Sequence, residues 1–303
     1  MSAVSPATGV NSPWTIVGGP GSTLGLFNQP RGISGMADGG FVVVDRSARI
    51  THFDAQNQPV NVFSMKEHHY GNPKGLCMLP NGNILICDTH YGRMMEMTVD
   101  GLEVKEWGKG LGTEPEHFVH PLSATVDAKN GFVYIAEYGS KIDRIQKFKL
   151  DGTYVKYWGE FGSDPGQFRR CSGITINPQG IIFVADAVNH RIQSFDANGK
   201  LLGSFGTQGT GPGELNFPYD IASDSQGRLY IAEFNNHRVS VFDSDGKFIT
   251  VLGAAGGDPG QFWSPWSLTV DAKDRLLVSD TANQRIQILD LKSAPAMAML
   301  KKK

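Results

Sequence analysis

The chain has 303 residues, of which 40% are hydrophobic and 19% are charged, and its formal net charge at pH 7 is −2. This composition indicates a folded protein with a sizeable core and is unlike that of a disordered chain. The charge argues against a nucleic-acid partner, and no apolar run is long enough for a membrane span.

The first twelve residues contain neither an early basic residue nor an apolar run. We therefore predict that residues 1–12 are a flexible segment without an export signal. The cytoplasm is the default location on this basis, and export from a longer precursor stays open as the alternative.

A repeat of about 47 residues runs through the rest of the chain. Each copy opens on Pro-x-x followed by an apolar residue, although the third copy reads PLSA and the fourth has Cys171 in place of proline. An apolar strand ending in an acid follows, then a loop, an arginine and a second apolar strand. The six acids are Asp45, Asp88, Glu137, Asp186, Glu233 and Asp280. The six arginines are Arg49, Arg93, Arg144, Arg191, Arg238 and Arg285.

The pattern within each repeat predicts four short strands separated by tight turns such as Asp151-Gly152. The last repeat ends near Asp290 after only three strands, and residues 14–17 read as the missing fourth. We therefore predict an all-β fold, a six-bladed β-propeller of four-stranded antiparallel blades over residues 13–291, with the ring closed by an N-terminal strand. Residues 292–303 are predicted to be a short basic C-terminal tail.

The chain resembles NHL-repeat proteins over residues 14–290. The Asn-His-Arg signature of that family is intact at 189–191 and 236–238 and altered to Asn-Gln-Arg at 283–285. Several segments are similar to those of uncharacterised bacterial propellers of this family. The resemblance implies a disc with one loop-rich face, formed by the blade connections and by the loops between the second and third strands of each blade.

The residue after the opening proline or cysteine of each repeat is expected to face the central axis on that loop-rich face. These residues are Arg31, Lys74, Leu122, Ser172, Tyr219 and Trp266. Cations and aromatic rings together favour a site for an anionic or aromatic group. The candidate ligand-binding residues are Arg31, Lys74, Tyr219, Trp266, Glu233 and Phe234. The alternative is a solvated channel whose side chains only fill the available space.

Five of the eight histidines fall in the sector around the second and third repeats: His68, His69, His90, His117 and His120. With Asp88 and Glu137 nearby they are candidate ligands for a divalent metal. No fixed ligand spacing is present, so ordinary surface histidines are the favoured interpretation and no cofactor is expected.

The acid that ends each second strand recurs in all six repeats, which indicates a structural role. Glu137 and Glu233 are one methylene longer than the aspartates and are the candidate exceptions. Arg46, Glu137 and Tyr138 are accordingly weak catalytic candidates. The zinc-dependent peptidyl-hydroxyglycine lyase looks like a relative by fold, but its Pro-His pairs correspond here to Pro73-Lys74, Cys171-Ser172 and Pro265-Trp266. That activity is therefore not expected.

The leading functional hypothesis is a scaffold that binds a protein, a peptide or a small anionic or aromatic ligand on its loop-rich face. Whether the chain is an enzyme is left open, with a binding role favoured. One alternative is a metal-assisted lyase or hydrolase with its site near blades two and three. A second alternative is single-stranded RNA binding, as in animal members of the family, which the net charge opposes.

Overall fold

The computed structural model describes residues 12–67, 69 and 71–301. The predicted flexible segment, except for Ser12, and the metal candidate His68 lie outside the described residues. Within them, the strands form six antiparallel sheets of four strands each, and in five of these sheets the strands are hydrogen-bonded in sequence order. The predicted six-bladed β-propeller is confirmed.

The described chain begins with β1 (Trp14–Val17), and the blades then follow in order. Blade one contains β2 (Pro30–Gly35), β3 (Phe41–Asp45), β4 (Arg49–Phe53) and β5 (Pro59–Ser64). Blade two contains β6 (Gly75–Met78), β7 (Ile84–Asp88), β8 (Arg93–Met97) and β9 (Glu103–Trp107). Blade three contains β10 (His120–Asp127), β11 (Phe132–Tyr138), β12 (Arg144–Lys149) and β13 (Tyr154–Trp158).

The second half of the ring has the same plan. Blade four contains β14 (Cys171–Ile176), β15 (Ile182–Asp186), β16 (Arg191–Phe195) and β17 (Leu201–Phe205). Blade five contains β18 (Pro218–Ser223), β19 (Leu229–Glu233), β20 (Arg238–Phe242) and β21 (Phe248–Leu252). Blade six contains β22 (Leu268–Val270), β23 (Arg275–Asp280) and β24 (Arg285–Asp290), and β1 is its outer strand.

Closure of the ring by the N-terminal strand is also confirmed, because β1 pairs antiparallel with β24. The chain beyond β24 continues into a short helix, α1 (Ala294–Leu300), where the sequence suggested only a basic tail. Ser293 caps this helix and a proline occupies its first turn, both of which favour helix initiation. Ala296 and Leu300 are buried against the core of blades five and six. No helix in the described part of the chain is long and apolar enough to cross a membrane.

The connections between blades also contribute side chains to the core. In the described part of the chain, five of them contain a single parallel bridge, and each buries an apolar side chain between neighbouring blades: Phe27, Phe118, Phe168, Leu215 and Phe262. Burial of a large side chain of this kind stabilises the fold by about 1.5–3 kcal/mol. The blades are therefore joined by packing and not only by the continuous chain.

The inner strands approach one another closely because several of them carry glycine at the third position of the repeat. A Cβ added to Gly75 would lie 2.0 Å from the carbonyl oxygen of Leu122, and one added to Gly32 would lie 2.8 Å from Cα of Gly75. A side chain at either position would collide with the next inner strand. The six inner strands consequently surround a channel of about 240 Å³ along the axis.

Candidate functional site

The loop-rich face of the disc is the end at which each inner strand begins. Pro30 at the start of β2 pairs with Asp45 at the end of β3, so the blade connection and the loop after the second strand meet there. The same pairing brings Pro218 opposite Glu233 in blade five. We call the axial end of the channel on this face the mouth, formed by Arg31, Lys74, Tyr138, Arg170, Tyr219, Phe234 and Trp266.

Three aromatic rings from blades five and six form one side of the mouth. Tyr219 stacks on Phe234 with ring centroids 4.7 Å apart and an interplanar angle of 29°. Trp266 stands edge-on to both, at 4.9 Å from Tyr219 and 5.8 Å from Phe234. Such offset and perpendicular contacts hold rings in fixed positions. The cluster therefore presents a rigid, half-buried aromatic wall.

Three cations lie against these and neighbouring rings. The guanidinium carbon of Arg31 is 5.0 Å from the centroid of Trp266, and that of Arg170 is 4.9 Å from Tyr219 and 5.3 Å from Tyr138. Nζ of Lys74 is 6.0 Å from the ring of Tyr138. These are cation–π distances, so the rings help to hold each cationic group in position.

None of the three cations is neutralised by a carboxylate among the residues that the structure describes. Nε of Arg170 is buried and has no hydrogen-bond partner there. The backbone of Arg170 is in contrast held firmly, because its N–H donates to Oδ1 of Asp143 at 2.6 Å. Donors that are positioned but unsatisfied are what a site for an anion requires.

The cationic groups of the mouth lie close enough to influence one another's pKa. Burial, together with the guanidinium groups of Arg170 and Arg31, lowers the pKa of Lys74 to about 8. Burial and then the neighbouring Arg46 lower the pKa of Arg31. Burial raises the pKa of Tyr138. An anion entering the mouth would relieve the repulsion among these cations.

One carboxylate lies on the channel wall. Asp220 accepts hydrogen bonds from Oγ of Ser267 at 2.5 Å and from the backbone N–H of Leu268 at 3.1 Å. It faces the channel deep inside the ring, and burial raises its pKa to about 6. Asp220 occupies the third repeat position, where three other blades have glycine, so its side chain links the inner strands of blades five and six.

The structure brings Arg31, Lys74, Tyr219 and Trp266 together at the mouth with Phe234, and ligand binding by these residues stays a prediction. Arg170 and Asp220 were not singled out from the sequence. Arg170 immediately precedes the inner strand of blade four and has φ of 63°. The equivalent residues Gln29, Phe217 and Ser264 also have positive φ, so the residue before the opening proline is a recurring bend at the mouth.

The acids that end the second strands tie the scaffold together. Glu137 is buried and accepts from Nε of Arg144 at 2.7 Å, from Gln146 at 2.7 Å and from the backbone N–H of Val119 at 2.7 Å. Arg144 in turn donates to carbonyl oxygens of the preceding blade connection. The arrangement recurs in other blades, and it gives these carboxylates a structural role.

Glu233 has the same surroundings although it was a candidate ligand-binding residue. It is fully buried, and it accepts hydrogen bonds from Asn216 N–H, Asn236, Arg238 and Ser240. Arg46, a weak catalytic candidate, is exposed and donates to Oε1 of Gln29 at 2.9 Å. Neither side chain is among those that surround the mouth.

The Asn-His-Arg signature has a structural explanation. Asn189 and Arg191 both donate to Oδ2 of Asp186 at 2.8 Å. Nδ1 of His190 accepts from the backbone N–H of Phe217, at the entrance to the next blade. His237 accepts from Ser264 N–H in the same way. The motif therefore links each blade to the following one.

The candidate metal ligands are only partly brought together. The rings of His90 and His120 lie 6.0 Å apart, and Nδ1 of His120 is buried without a hydrogen-bond partner. Nδ1 of His117 is instead 3.3 Å from the carbonyl oxygen of Pro115 in its own loop. Among the described residues, which include His69 but not His68, no group of three or more metal-binding side chains converges.

These observations define the class of the protein: a six-bladed β-propeller whose axial channel opens into a cationic and aromatic mouth. The NHL-repeat family model matches residues 168–195, 215–242 and 262–289, the parts of blades four to six that carry the Asn-x-Arg signature. The chain therefore carries NHL repeats on a six-bladed β-propeller, as its sequence indicated. No protein of the curated collection matches it significantly.

Solved structures of the same fold are similar at low sequence identity. A streptogramin B lyase superposes with a TM-score of 0.64 at 14% identity and covers 91% of this chain and 97% of its own. A gluconolactonase from Xanthomonas campestris gives 0.66 at 16% identity and covers 88% and 87%. A nidogen/laminin complex gives 0.60 at 15% identity and covers 79% and 84%. At these identities the likeness concerns the fold alone.

Proposed function

We propose that this protein binds a small anionic ligand, or the acidic end of a peptide, at the mouth of the axial channel. The observation that carries the proposal is the set of three half-buried cations, Arg31, Lys74 and Arg170, that have no carboxylate partner among the described residues. A half-buried charge without a partner costs free energy, and a bound ligand of opposite charge would offset that cost.

The aromatic wall extends this preference to ligands that carry a flat ring. A carboxylate would accept paired hydrogen bonds from the guanidinium groups of Arg31 and Arg170, which are strong because both partners are charged. A ring attached to it would then pack against Tyr219, Phe234 and Trp266. We therefore expect aromatic carboxylates to bind more tightly than inorganic anions.

Titration of the protein with benzoate in an isothermal calorimeter tests this proposal. We expect Arg170→Gln to weaken binding about tenfold, because it removes one charge-assisted interaction. Arg169→Gln is the matched control, since the neighbouring Arg169 is exposed and lies 5.7 Å from the ring of Phe161 instead. Equal effects of the two variants, or no binding of benzoate to the wild type, would contradict the proposal.

A metal-assisted reaction near blades two and three is a second candidate, favoured by one observation. The imidazoles of His90 and His120 lie edge-on to each other with ring centroids 6.0 Å apart. Two imidazoles are fewer protein ligands than a catalytic zinc site has. We therefore place anion binding first.

A further inference from the structure

The amine of Lys74 has surroundings that differ from those of a surface lysine. Its side chain is half-buried at the channel mouth, beside the ring of Tyr138 and within the field of Arg31 and Arg170. No ion pair or side-chain hydrogen bond holds Nζ among the described residues. Lys66, by comparison, is exposed and its Nζ lies 3.3 Å from a carboxylate oxygen of Glu103.

We propose that Lys74 is a reactive amine that condenses with the carbonyl group of a small oxo acid, whose carboxylate is held by Arg31 and Arg170. The inference rests on the proposed anion site and adds to it a substrate class, 2-oxo acids and aldehyde acids. A lysine placed beside other cations in a half-buried pocket is a known way of making a nucleophilic amine.

The step is balanced without any further reactant. The lone pair of the neutral Nζ forms a bond to the carbonyl carbon, and the π electrons of the carbonyl group move to oxygen. Transfer of a proton from nitrogen to that oxygen gives a neutral carbinolamine. Loss of the hydroxyl group as water, with a second proton from nitrogen, gives the imine. The net change is amine plus carbonyl to imine plus water.

Neighbouring groups are suited to these proton transfers. Burial, and then the charge of Lys74, lowers the pKa of both His90 and His120. This shift favours the neutral form of both imidazoles. Nδ1 of His120 is buried and has no partner in the described part of the chain. In the free protein, the same crowding that brings the pKa of Lys74 to about 8 leaves a fraction of its amine unprotonated near neutral pH.

Reductive trapping with glyoxylate and cyanoborohydride tests the inference, with peptide mapping by mass spectrometry to locate the carboxymethyl group. On the wild-type protein at pH 7.5 we expect Lys74 to be labelled at least about tenfold faster than Lys66, because a lower amine pKa exposes the nucleophile. Benzoate should protect Lys74 and leave Lys66 unaffected. In Lys74→Arg the labelled peptide should disappear, with the melting curve as the check on folding.

The outcomes separate this inference from the proposed function. Labelling spread evenly over the surface lysines, in a protein that still binds benzoate, would overturn the reactive amine and leave the anion site standing. Even labelling in a protein that does not bind benzoate would overturn both. Labelling of Lys74 that benzoate does not slow would also overturn the inference, because the carboxylate would then not be held at the mouth.

Discussion

Trp14 lies opposite Leu289 in the antiparallel pair that closes the propeller. Its ring meets the ring of Phe262 edge-on at 5.4 Å, so the N-terminal strand is fixed both by backbone pairing and by packing between blades five and six. The outer strand of the last blade is therefore also the first strand of the described chain.

Removal of this closure should destabilise the whole ring. We expect Trp14→Ala to lower the free energy of unfolding by about 3 kcal/mol, since it leaves a cavity in a buried cluster. Thr15→Ala, on the exposed side of the same strand, is the control. Deletion of residues 1–18 should lower the melting temperature further, and a deletion variant that melts like the wild type would contradict closure by β1.

The buried acid–arginine pairs should be far more important for stability than exposed pairs. Arg144→Met leaves the carboxylate of Glu137 buried without its charge partner, which we expect to cost about 3 kcal/mol. Lys66→Met removes an exposed pair with Glu103 and should cost at most about 0.5 kcal/mol. Chemical denaturation measures both, and similar costs for the two variants would show that the buried pair has no special role.

Gly75 should not tolerate a side chain. We expect Gly75→Ala to cost about 2 kcal/mol or more, because the added Cβ would lie 2.0 Å from the carbonyl oxygen of Leu122 and would push two inner strands apart. Gly257→Ala is the matched control, since no atom lies within 4 Å of the added Cβ and the backbone there is not left-handed. Thermal melting compares the two, and an unaffected Gly75→Ala variant would mean that the inner strands can shift freely.

Benzoate binding should weaken as the pH rises above 8. A bound anion favours protonated Lys74 and so raises its pKa above the value of about 8 in the free protein. Affinity is then fully present below pH 8 and is lost above it, by up to about tenfold per pH unit until the pKa of the complex is reached. His90 and His120 titrate below this range and Tyr138 above it. Calorimetry between pH 7 and 9 should show the slope, and its persistence in Lys74→Met would assign it to another group.

Metal content distinguishes the two candidate functions. Because only His90 and His120 converge in the described part of the sector, we expect less than one zinc per chain in protein purified without chelators. Elemental analysis of the wild type, His90→Ala and His120→Ala measures this. Stoichiometric metal that is lost in both variants would favour the metal-assisted reaction instead.

The sequence was sufficient for the fold because each repeat carries its own strand, turn and pairing signals. The six acids, the arginines that follow them and the strand at residues 14–17 together predicted the blade number and the ring closure. The helix Ala294–Leu300 was not predicted, because seven residues carry little helical signal until Ala296 and Leu300 are buried against the propeller.

The mouth was predictable only in part, and the reason is geometric. Arg31, Lys74, Tyr219 and Trp266 follow from a single repeat position. Arg170 precedes the first residue of its repeat, and a left-handed backbone conformation brings it to the mouth. Asp220 is the third residue of its repeat, where the other blades have glycine or serine. The unpaired state of the three cations depends on which side chains face each other across the ring, which no one repeat encodes.

The residues that hold the blades together and those that surround the mouth occupy different positions of the repeat. The carboxylate–arginine pairs are repeated around the ring, whereas the residue after the opening proline differs from blade to blade. A substitution at a mouth position can therefore change the ligand-facing surface without removing any of the pairs that hold the blades together. The chemistry of the mouth can therefore be altered at these positions while the carboxylate–arginine pairs keep the blades together.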